Sequence, residues 1–439
     1  MALTGRGGLL ALVGVLVVLV VPSVVTIVVI EAVLALGVVV DLALAGSVRA
    51  LRLGRDGDDL VRLGESATVR LTVTNPGRRP LRATLRDAWE PSAHAEPRRV
   101  RVDIPPGGAR RVTMTLTPER RGDRTAQRVT VRAVGPLGLA ARQGSHTAPW
   151  TVRVLPPFAS RRHLPAKLSR LREMDGRQRS LVRGQGTEFD SLREYVEGDD
   201  VRSIDWRATA RRESVVVRTW RPERDRRVVL VLDTGRTSAG RVGDIPRLDA
   251  SMDACLLLAA LASRAGDRVD LLAFDRRVRA RVRSRGVSGG AASGVGGGVL
   301  ASMVRAMAPL EPELVESDGA AMISAVLRET RRRSLVVLLT DLNPAAMADG
   351  LLPRLPVLTS RHQVLVAAVA DPRLAEMASS RGTPAAAYEA AAAEQALASR
   401  RHLTATLRTH GVEVIDATPD HLPPALADTY LSLKSAGRL

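Results

Sequence analysis

From Leu9 to Val40 the chain runs through 32 residues interrupted only by glycines, Pro22, Ser23, Thr26 and Glu31. No water-facing surface accommodates such a run, so it constrains everything downstream. As one helix it would reach about 48 Å at 1.5 Å per residue. A bilayer's hydrocarbon core is only about 30 Å thick, and tilt does not absorb the difference. Pro22-Ser23 is the natural break, because proline suits a helix's first turn and disrupts its interior. The run therefore predicts a hairpin of two transmembrane helices, with spans near Gly7–Val21 and Ser23–Leu44. Arg6 precedes it and Arg49, Arg52 and Arg55 follow it. Two spans leave both basic flanks on the cytoplasmic side, as the positive-inside bias prefers. A single anchor would push one flank out. A cleaved signal peptide is the third reading, helped by Ala43-Leu44-Ala45, but secretory apolar cores run about 7–15 residues. The expected location is the cell membrane, multi-pass, with the soluble domains cytoplasmic.

Charge is the second constraint. Of 439 residues, 65 are basic and 46 acidic, a net charge of +19. Lysine occurs only at Lys167 and Lys434, so nearly all the basic residues are arginine. Base-stacking platforms interleave aromatics with positive charge, and the Arg-rich stretch Arg98–Arg132 has none. No specific nucleic-acid role is expected, and attraction to an anionic cytoplasmic leaflet accounts for the charge more simply. Cys255 stands alone, which excludes a disulfide scaffold. The 45% hydrophobic content excludes wholesale disorder.

Between Val61 and Val154 the pattern has period two. Val69, Leu71 and Val73 alternate with polar residues, as do Val100–Ile104, Val112–Leu116, Val129–Val131 and Val152–Val154. Asn75-Pro76-Gly77, Pro105-Pro106-Gly107-Gly108 and Gly135-Pro136 separate the runs. Short alternating strands between such turns predict a small antiparallel β-sandwich. After Arg227 the runs become fully apolar: Val228–Leu232, Val269–Phe274, Val278–Val282, Leu335–Leu339, Val364–Ala370 and Val412–Ile415. Helical stretches near Leu248–Ala265, Ala320–Arg332, Ala385–Arg408 and Leu422–Leu433 alternate with them, which predicts an open, mostly parallel sheet covered on both faces. Gly286–Gly298 reads as a loop; it lacks the phosphate-cradling G-x-x-x-x-G-K-[ST] pattern, so no nucleotide is assigned to it. The fold class is thus a membrane-anchored multidomain chain. Residues 1–48 form the anchor, 49–157 the sandwich, 158–226 a signature segment and linker, and 227–439 the α/β domain.

Several of these strands end in aspartate: Asp233, Asp341, Asp371 and Asp416. Strand carboxyl ends carry the sites of open α/β sheets, and paired carboxylates with hydroxyls nearby suit Mg²⁺ or Ca²⁺. Helix capping is the plainer use of such residues. Asp233-Thr234-Gly235-Arg236-Thr237 after the first strand, and Thr340-Asp341 after the fourth, resemble a von Willebrand factor type A domain with its metal-ion-dependent adhesion site. The pattern of that site is D-x-S-x-S, a second-loop Thr, and an Asp after the fourth strand. Asp233, Thr237 and Asp341 match it, whereas Gly235 removes a ligand. For the second-loop Thr, Ser317 or Asp318 is available. A Mg²⁺-dependent phosphohydrolase using Asp233 and Asp341 is the alternative, but its D-x-D-x-[TV] pattern needs a general acid where Gly235 stands.

The densest signal is Arg183–Arg212, which gathers Gly186, Glu188, Phe189, Asp190, Arg193, Tyr195, Gly198, Asp199, Asp200, Arg202, Asp205, Trp206 and Arg211, with Glu223 shortly after. Asp190 and Arg193 have helical spacing for an ion pair. Gly198-Asp199-Asp200 reads as a turn. Asp205, Arg207, Arg211 and Glu223 suit a semi-buried charge network. The segment is either a structural latch or a partner-docking surface with aromatic and Arg anchors. A catalytic centre is disfavoured because no His or nucleophile accompanies these acids. The string resembles the signature of the bacterial family called domain of unknown function fifty-eight, as do Gly135-Pro136-Leu137-Gly138-Leu139 and Tyr430-Leu431-Ser432-Leu433-Lys434. The resemblance implies a membrane anchor, a β-rich region and a type A-like domain. It also implies association with a MoxR-type AAA+ ATPase in a non-catalytic adaptor or chaperone-like role toward a client protein, with no catalytic activity to carry over.

Overall fold

The computed structural model describes residues 2–181, 188–197, 199–211, 214–221, 226–284 and 295–439. Two compact units divide the chain, Met1–Leu155 and Pro156–Leu439.

In the first unit, α1 (Gly5–Val20) and α2 (Val24–Leu44) meet at the break expected from Pro22, and the Ser23 hydroxyl caps α2 by accepting from the Val25 amide. Gly14 and Asp41 are the only buried residues of the two helices, so none of their Leu, Val and Ile side chains is buried and most are exposed. Among the described residues only α2 is long and apolar enough to cross a membrane. At 16 residues α1 spans about 24 Å, short of a bilayer core. The expectation of two crossing helices is therefore not supported by length.

The strands that follow are β1 (Arg52–Gly57), β2 (Ala67–Thr74), β3 (Leu81–Trp89), β4 (Arg99–Ile104), β5 (Ala109–Leu116), β6 (Gly122–Val134) and β7 (Ala140–Leu155). Two antiparallel sheets result. In one, β7, β6, β3 and β4 are neighbours; in the other, β1, β2 and β5. The two-residue period places Ala67, Val69, Leu71 and Val73 of β2 in the core, against Leu85, Ile104, Val131 and Val154 of the facing sheet. Leu60–Arg62 adds one parallel pairing to β7. β1 and β3 were not among the strands expected from alternation.

Gly135-Pro136-Leu137-Gly138-Leu139 fastens the helices to this sandwich. The Asp41 carboxylate, in the last turn of α2, accepts from the amides of Leu137 at 2.7 Å and Ala140 at 2.9 Å. Thr4, at the start of α1, donates its amide to Leu139 at 3.0 Å, and Ala2 pairs with Ala141 on β7. The outer ends of both helices are thus tied to one edge of the same sheet.

In the second unit, α3 (Leu164–Leu181) is followed by the hairpin β8 (Glu188–Glu194) and β9 (Val216–Arg221). The sheet then contains β10 (Arg227–Asp233), β11 (Arg268–Phe274), β12 (Val278–Val282), β13 (Leu335–Leu339), β14 (Gln363–Val369) and β15 (Glu413–Ala417), in spatial order β12-β11-β10-β13-β14-β15. All pairings are parallel except that of β12, an antiparallel edge. Helices α4 (Arg247–Arg264), α5 (Val295–Met307), α6 (Gly319–Glu329), α7 (Pro384–Thr409) and α8 (Leu422–Ser435) surround it. Val229, Val231, Val336, Leu338, Val364 and Val366 bury one face under α6 and α7 side chains such as Met322, Ile323, Leu403 and Leu407. The alternate residues of the same strands are buried too, and α4 and α8 pack together against β10 and β14. Burial on both faces is why these strands read as continuous apolar runs. The expected loop Gly286–Gly298 lies outside the described residues up to 294, and from Val295 it is helix α5.

The motif Tyr430-Leu431-Ser432-Leu433-Lys434 has a structural use. On α8, Tyr430 and Lys434 sit one turn apart and both reach Asp267, which precedes β11. The phenol donates at 2.5 Å and the ammonium at 2.8 Å. One of the two lysines in the chain is thereby buried with its counter-ion.

Candidate functional site

From β10 the chain moves to β11 on one side, and the later strand β13 lies on the other side, so strand order reverses between β10 and β13. In open α/β sheets the crevice at the carboxyl ends of such a pair is where ligands sit. Asp233 ends β10, and Thr340 and Asp341 follow β13, so the fold brings these three together.

Asp233 is buried, and its carboxylate is fully engaged. Ser317 donates to Oδ1 at 2.5 Å, Thr340 to Oδ2 at 2.6 Å, and the Gly235 amide to Oδ1 at 2.9 Å. Ser317 arrives because residues 313–318 lie beside the loop after β10. Glu313 donates its amide to the Thr234 carbonyl, and Arg236 donates its amide to Val315. Of the two residues available for the second-loop position, Ser317 joins the site. Asp318 instead caps α6 by accepting from the Ala321 amide. Thr237 is half-buried on the turn and is not among the partners of Asp233; the neighbouring Ser238 donates its hydroxyl to the Asp233 carbonyl at 2.7 Å.

Gly235 is required by a close approach. A Cβ at this position would lie 2.1 Å from Ser317 Oγ and 2.9 Å from the Val315 carbonyl oxygen. The space a serine would fill in a D-x-S motif is taken by a serine from another loop. Gly235→Ser should therefore cost about 1–3 kcal/mol through overpacking, and Gly235→Ser combined with Ser317→Gly should recover the part due to the hydroxyl clash but not the part due to the Val315 carbonyl. Urea denaturation of the two variants checks the pair, and an unrescued double variant would refute the substitution of one hydroxyl for the other.

Asp341 is held differently from Asp233. Arg247, in the first turn of α4, donates to its Oδ2 at 2.5 Å, and Arg400 of α7 donates to Oδ1 at 2.8 Å. Arg400 also grips Asp416 of β15 through Nη2 at 2.7 Å and Nε at 3.1 Å. Burial disfavours the charged Arg400 side chain, but its bonds to Asp416 and the nearby Asp341 charge outweigh this and hold the guanidinium protonated. Arg247 Nε is buried without an acceptor. The last strand-end aspartate, Asp371, caps the short helix Pro372–Ser379 through the Arg373 amide.

A divalent cation fits this arrangement poorly. Mg²⁺ and Ca²⁺ take six or more oxygens, with carboxylates among them. Here Asp341 is covered by two guanidinium groups, and Gly235 supplies no oxygen side chain. Among the described residues no group of three or more His, Cys, Asp or Glu side chains could hold a metal ion. Asp233, Thr237 and Asp341 therefore do not form the Mg²⁺ or Ca²⁺ site expected of them.

The signature segment folds as a strand pair, not a helix. Arg193 lies on β8 and pairs with Asp199 at 2.6 Å; the backbone there is extended, and the side chain of its expected partner Asp190 lies outside the described residues. Asp199 also accepts from the Val196 amide, which closes the expected turn. Asp200 accepts from the Arg202 amide, and Asp205 caps the short helix Trp206–Thr209 through the Arg207 and Ala208 amides. The charge partner of Asp205 is Arg218 of β9 at 2.8 Å, not Arg207 or Arg211. This bond is the main cause of its lowered pKa. Trp206 is 67% exposed, and Tyr195 lies at the edge of exposure. Glu188, Phe189 and Asp190 belong to β8 by backbone; their side chains, and all of Gly186, Gly198 and Glu223, lie outside the described residues.

Comparison with known proteins finds likenesses to part of the chain. Uncharacterized proteins of Mycobacterium bovis and Mycobacterium tuberculosis are each 30% identical over 207 residues, which is 46% of this chain. The match spans 61% of the length of those relatives. Among solved structures, a CARDB domain from Pyrococcus furiosus shares 18% identity over 24% of this chain and 86% of its own, with a TM-score of 0.19. A FixG-related protein from Vibrio parahaemolyticus shares 9% identity over 24% of this chain and 95% of its own, with a TM-score of 0.17. Residues 191–385, which include most of the signature segment and β10 through β14, match the family described as Protein of unknown function DUF58.

Proposed function

We propose that the chain is a membrane-anchored, non-catalytic adaptor whose α/β unit is a von Willebrand type A-like protein-binding domain. In this reading it works with a MoxR-type AAA+ ATPase on a client protein. The observation that carries the reading is the reversal point between β10 and β13, where Asp233, Ser317, Thr340 and Asp341 gather. The two aspartates stand after the first and fourth strands of the sheet, as in the type A pattern. Among the described residues their side-chain partners are hydroxyl and guanidinium groups already engaged with the two carboxylates, which favours binding over turnover.

The positive charge that a metal would supply comes instead from Arg247 and Arg400. Arg247 retains 19% side-chain exposure, so part of its side chain is open to a carboxylate of the partner. Trp206 and Tyr195 supply a second, aromatic anchor of the kind that dominates interfaces.

Anchoring follows from α2 and from the outward-facing apolar side chains of both helices, which need lipid or protein to cover them. The outer ends of α1 and α2 are tied to one edge of the sandwich. If α2 crosses, α1 must run out beside it, with local thinning absorbing its short length. That arrangement keeps both soluble units on the cytoplasmic side.

The full chain in detergent should retain such an ATPase from a lysate of its own host, and Asp233→Ala with Asp341→Ala should weaken that retention. Binding unchanged by the double variant, with folding intact, would remove the site from the reading.

A further inference from the structure

At the amino ends of the strands, opposite Asp233, the same sheet carries a second feature. A solvent-open cavity of about 460 Å³ is walled almost wholly by arginine. Arg227 and Arg268 open β10 and β11 side by side. Arg328 ends α6, and Arg331, Arg332 and Arg333 form the turn that leads into β13. Arg227 and Asp233 stand at opposite ends of the seven-residue strand β10, about 20 Å apart at the rise of a strand.

Such a cluster can be ordinary if nearby carboxylates neutralise it, so the carboxylates decide the matter. Among the described residues Glu329 is the only acid in the wall. Its two oxygens are taken by Arg281 and Arg283 of the edge strand, at 2.9 and 2.6 Å. Asp270, the nearest acid on β11, is taken by Arg227 at 2.9 Å. Arg328, Arg331 and Arg333 pair with no carboxylate among the described residues. A helix C-terminus welcomes one cation through its dipole, and Arg227 already reaches the Glu329 carbonyl at 3.4 Å. The guanidinium groups of Arg328, Arg331 and Arg333 line a common space and repel one another.

Arginine forks match phosphate oxygens in paired, charge-assisted hydrogen bonds. A single carboxylate carries too little charge for this wall. The volume falls within the range of small-ligand sites and exceeds the needs of one phosphate. Among the described residues no aromatic lines it, so none of them would stack a nucleobase. We propose that this cavity binds a multiply charged phosphoryl group, as a free di- or triphosphate or as the headgroup of a phosphomonoester lipid. It is a site separate from the Asp233 crevice, and it does not depend on the adaptor reading.

Calorimetric titration of the full chain in neutral detergent, at fixed ionic strength, tests this with two probes: inorganic pyrophosphate and soluble dihexanoyl phosphatidic acid. One probe or both should bind saturably at one site per chain, and the tighter one identifies the source. Arg328→Ala with Arg331→Ala and Arg333→Ala should weaken binding about tenfold or more. Three exposed arginines of the sandwich, Arg101, Arg110 and Arg111, changed to alanine as a control, should leave it unchanged. Lysine at the three cavity positions keeps charge and fold while removing the forks, and should give an intermediate loss. No saturable binding of either probe would overturn the proposal. So would equal losses in the cavity and control variants, since binding would then follow net charge alone.

Discussion

Replacing Asp267 with alanine should cost the α/β unit about 3–5 kcal/mol. The Asp267 and Lys434 side chains are 2% and 8% exposed, and they meet at 2.8 Å. Without the carboxylate, the ammonium of Lys434 remains in a dry site with only the Tyr430 phenol within reach, at 3.3 Å. Removing both charges is a different matter. Breaking a buried pair exposes an uncompensated ion, whereas apolar residues of similar volume avoid the desolvation cost altogether. Asp267→Leu with Lys434→Met should therefore recover most of the loss. Urea denaturation followed by circular dichroism, comparing the single and double variants, measures the difference. A single variant within about 1 kcal/mol of the parent, the usual worth of an exposed pair, would show that water reaches the site.

The second large effect is expected at Arg400. Arg400→Met should destabilise the unit by about 3 kcal/mol, the lower end of the cost of breaking a buried pair. Asp341 keeps Arg247, and the Asp416 side chain is 27% exposed, so neither carboxylate is stranded outright. Arg400 ties α7 to the ends of β13 and β15, so the variant should also loosen the loop that carries Thr340 and Asp341. Amide exchange should rise at residues 340–343 while the centres of β10 and β14 stay protected. Uniform loss of protection across the sheet would instead indicate global unfolding.

Much of the fold was legible because strands and helices leave local signatures. The period-two runs of the sandwich and the continuous runs of the sheet each fall on an observed strand, several within one residue. Val278–Val282 and Leu335–Leu339 agree at both ends. β1 and β3 escaped notice because arginine, glycine and aspartate interrupt their alternation. The short helices Pro344–Gly350 and Leu355–Thr359 escaped for another reason: one or two turns do not establish a period. In the signature segment, a three-residue spacing suggested a helix where antiparallel pairing with β9 makes a strand. The site was half legible. Asp233 and Asp341 are marked by position after apolar strands, but nothing near them in the chain names their partners.

By itself the sequence determined the apolar hairpin region with its break at Pro22, the alternating β region and the α/β grammar. It also singled out the aspartates at the strand ends. Each of these rests on the spacing of side chains along a few turns or a few strand residues. Only the tertiary structure decided which charges meet. Ser317 reaches Asp233 across 84 positions, Arg247 reaches Asp341 across 94, and Lys434 reaches Asp267 across 167. Those contacts depend on strand order, and no local period encodes it. The run that most constrained the chain shows the same division: its helices were readable from hydrophobicity, while the clasp of Asp41 on Leu137 and Ala140 needed the sandwich to be folded beside it.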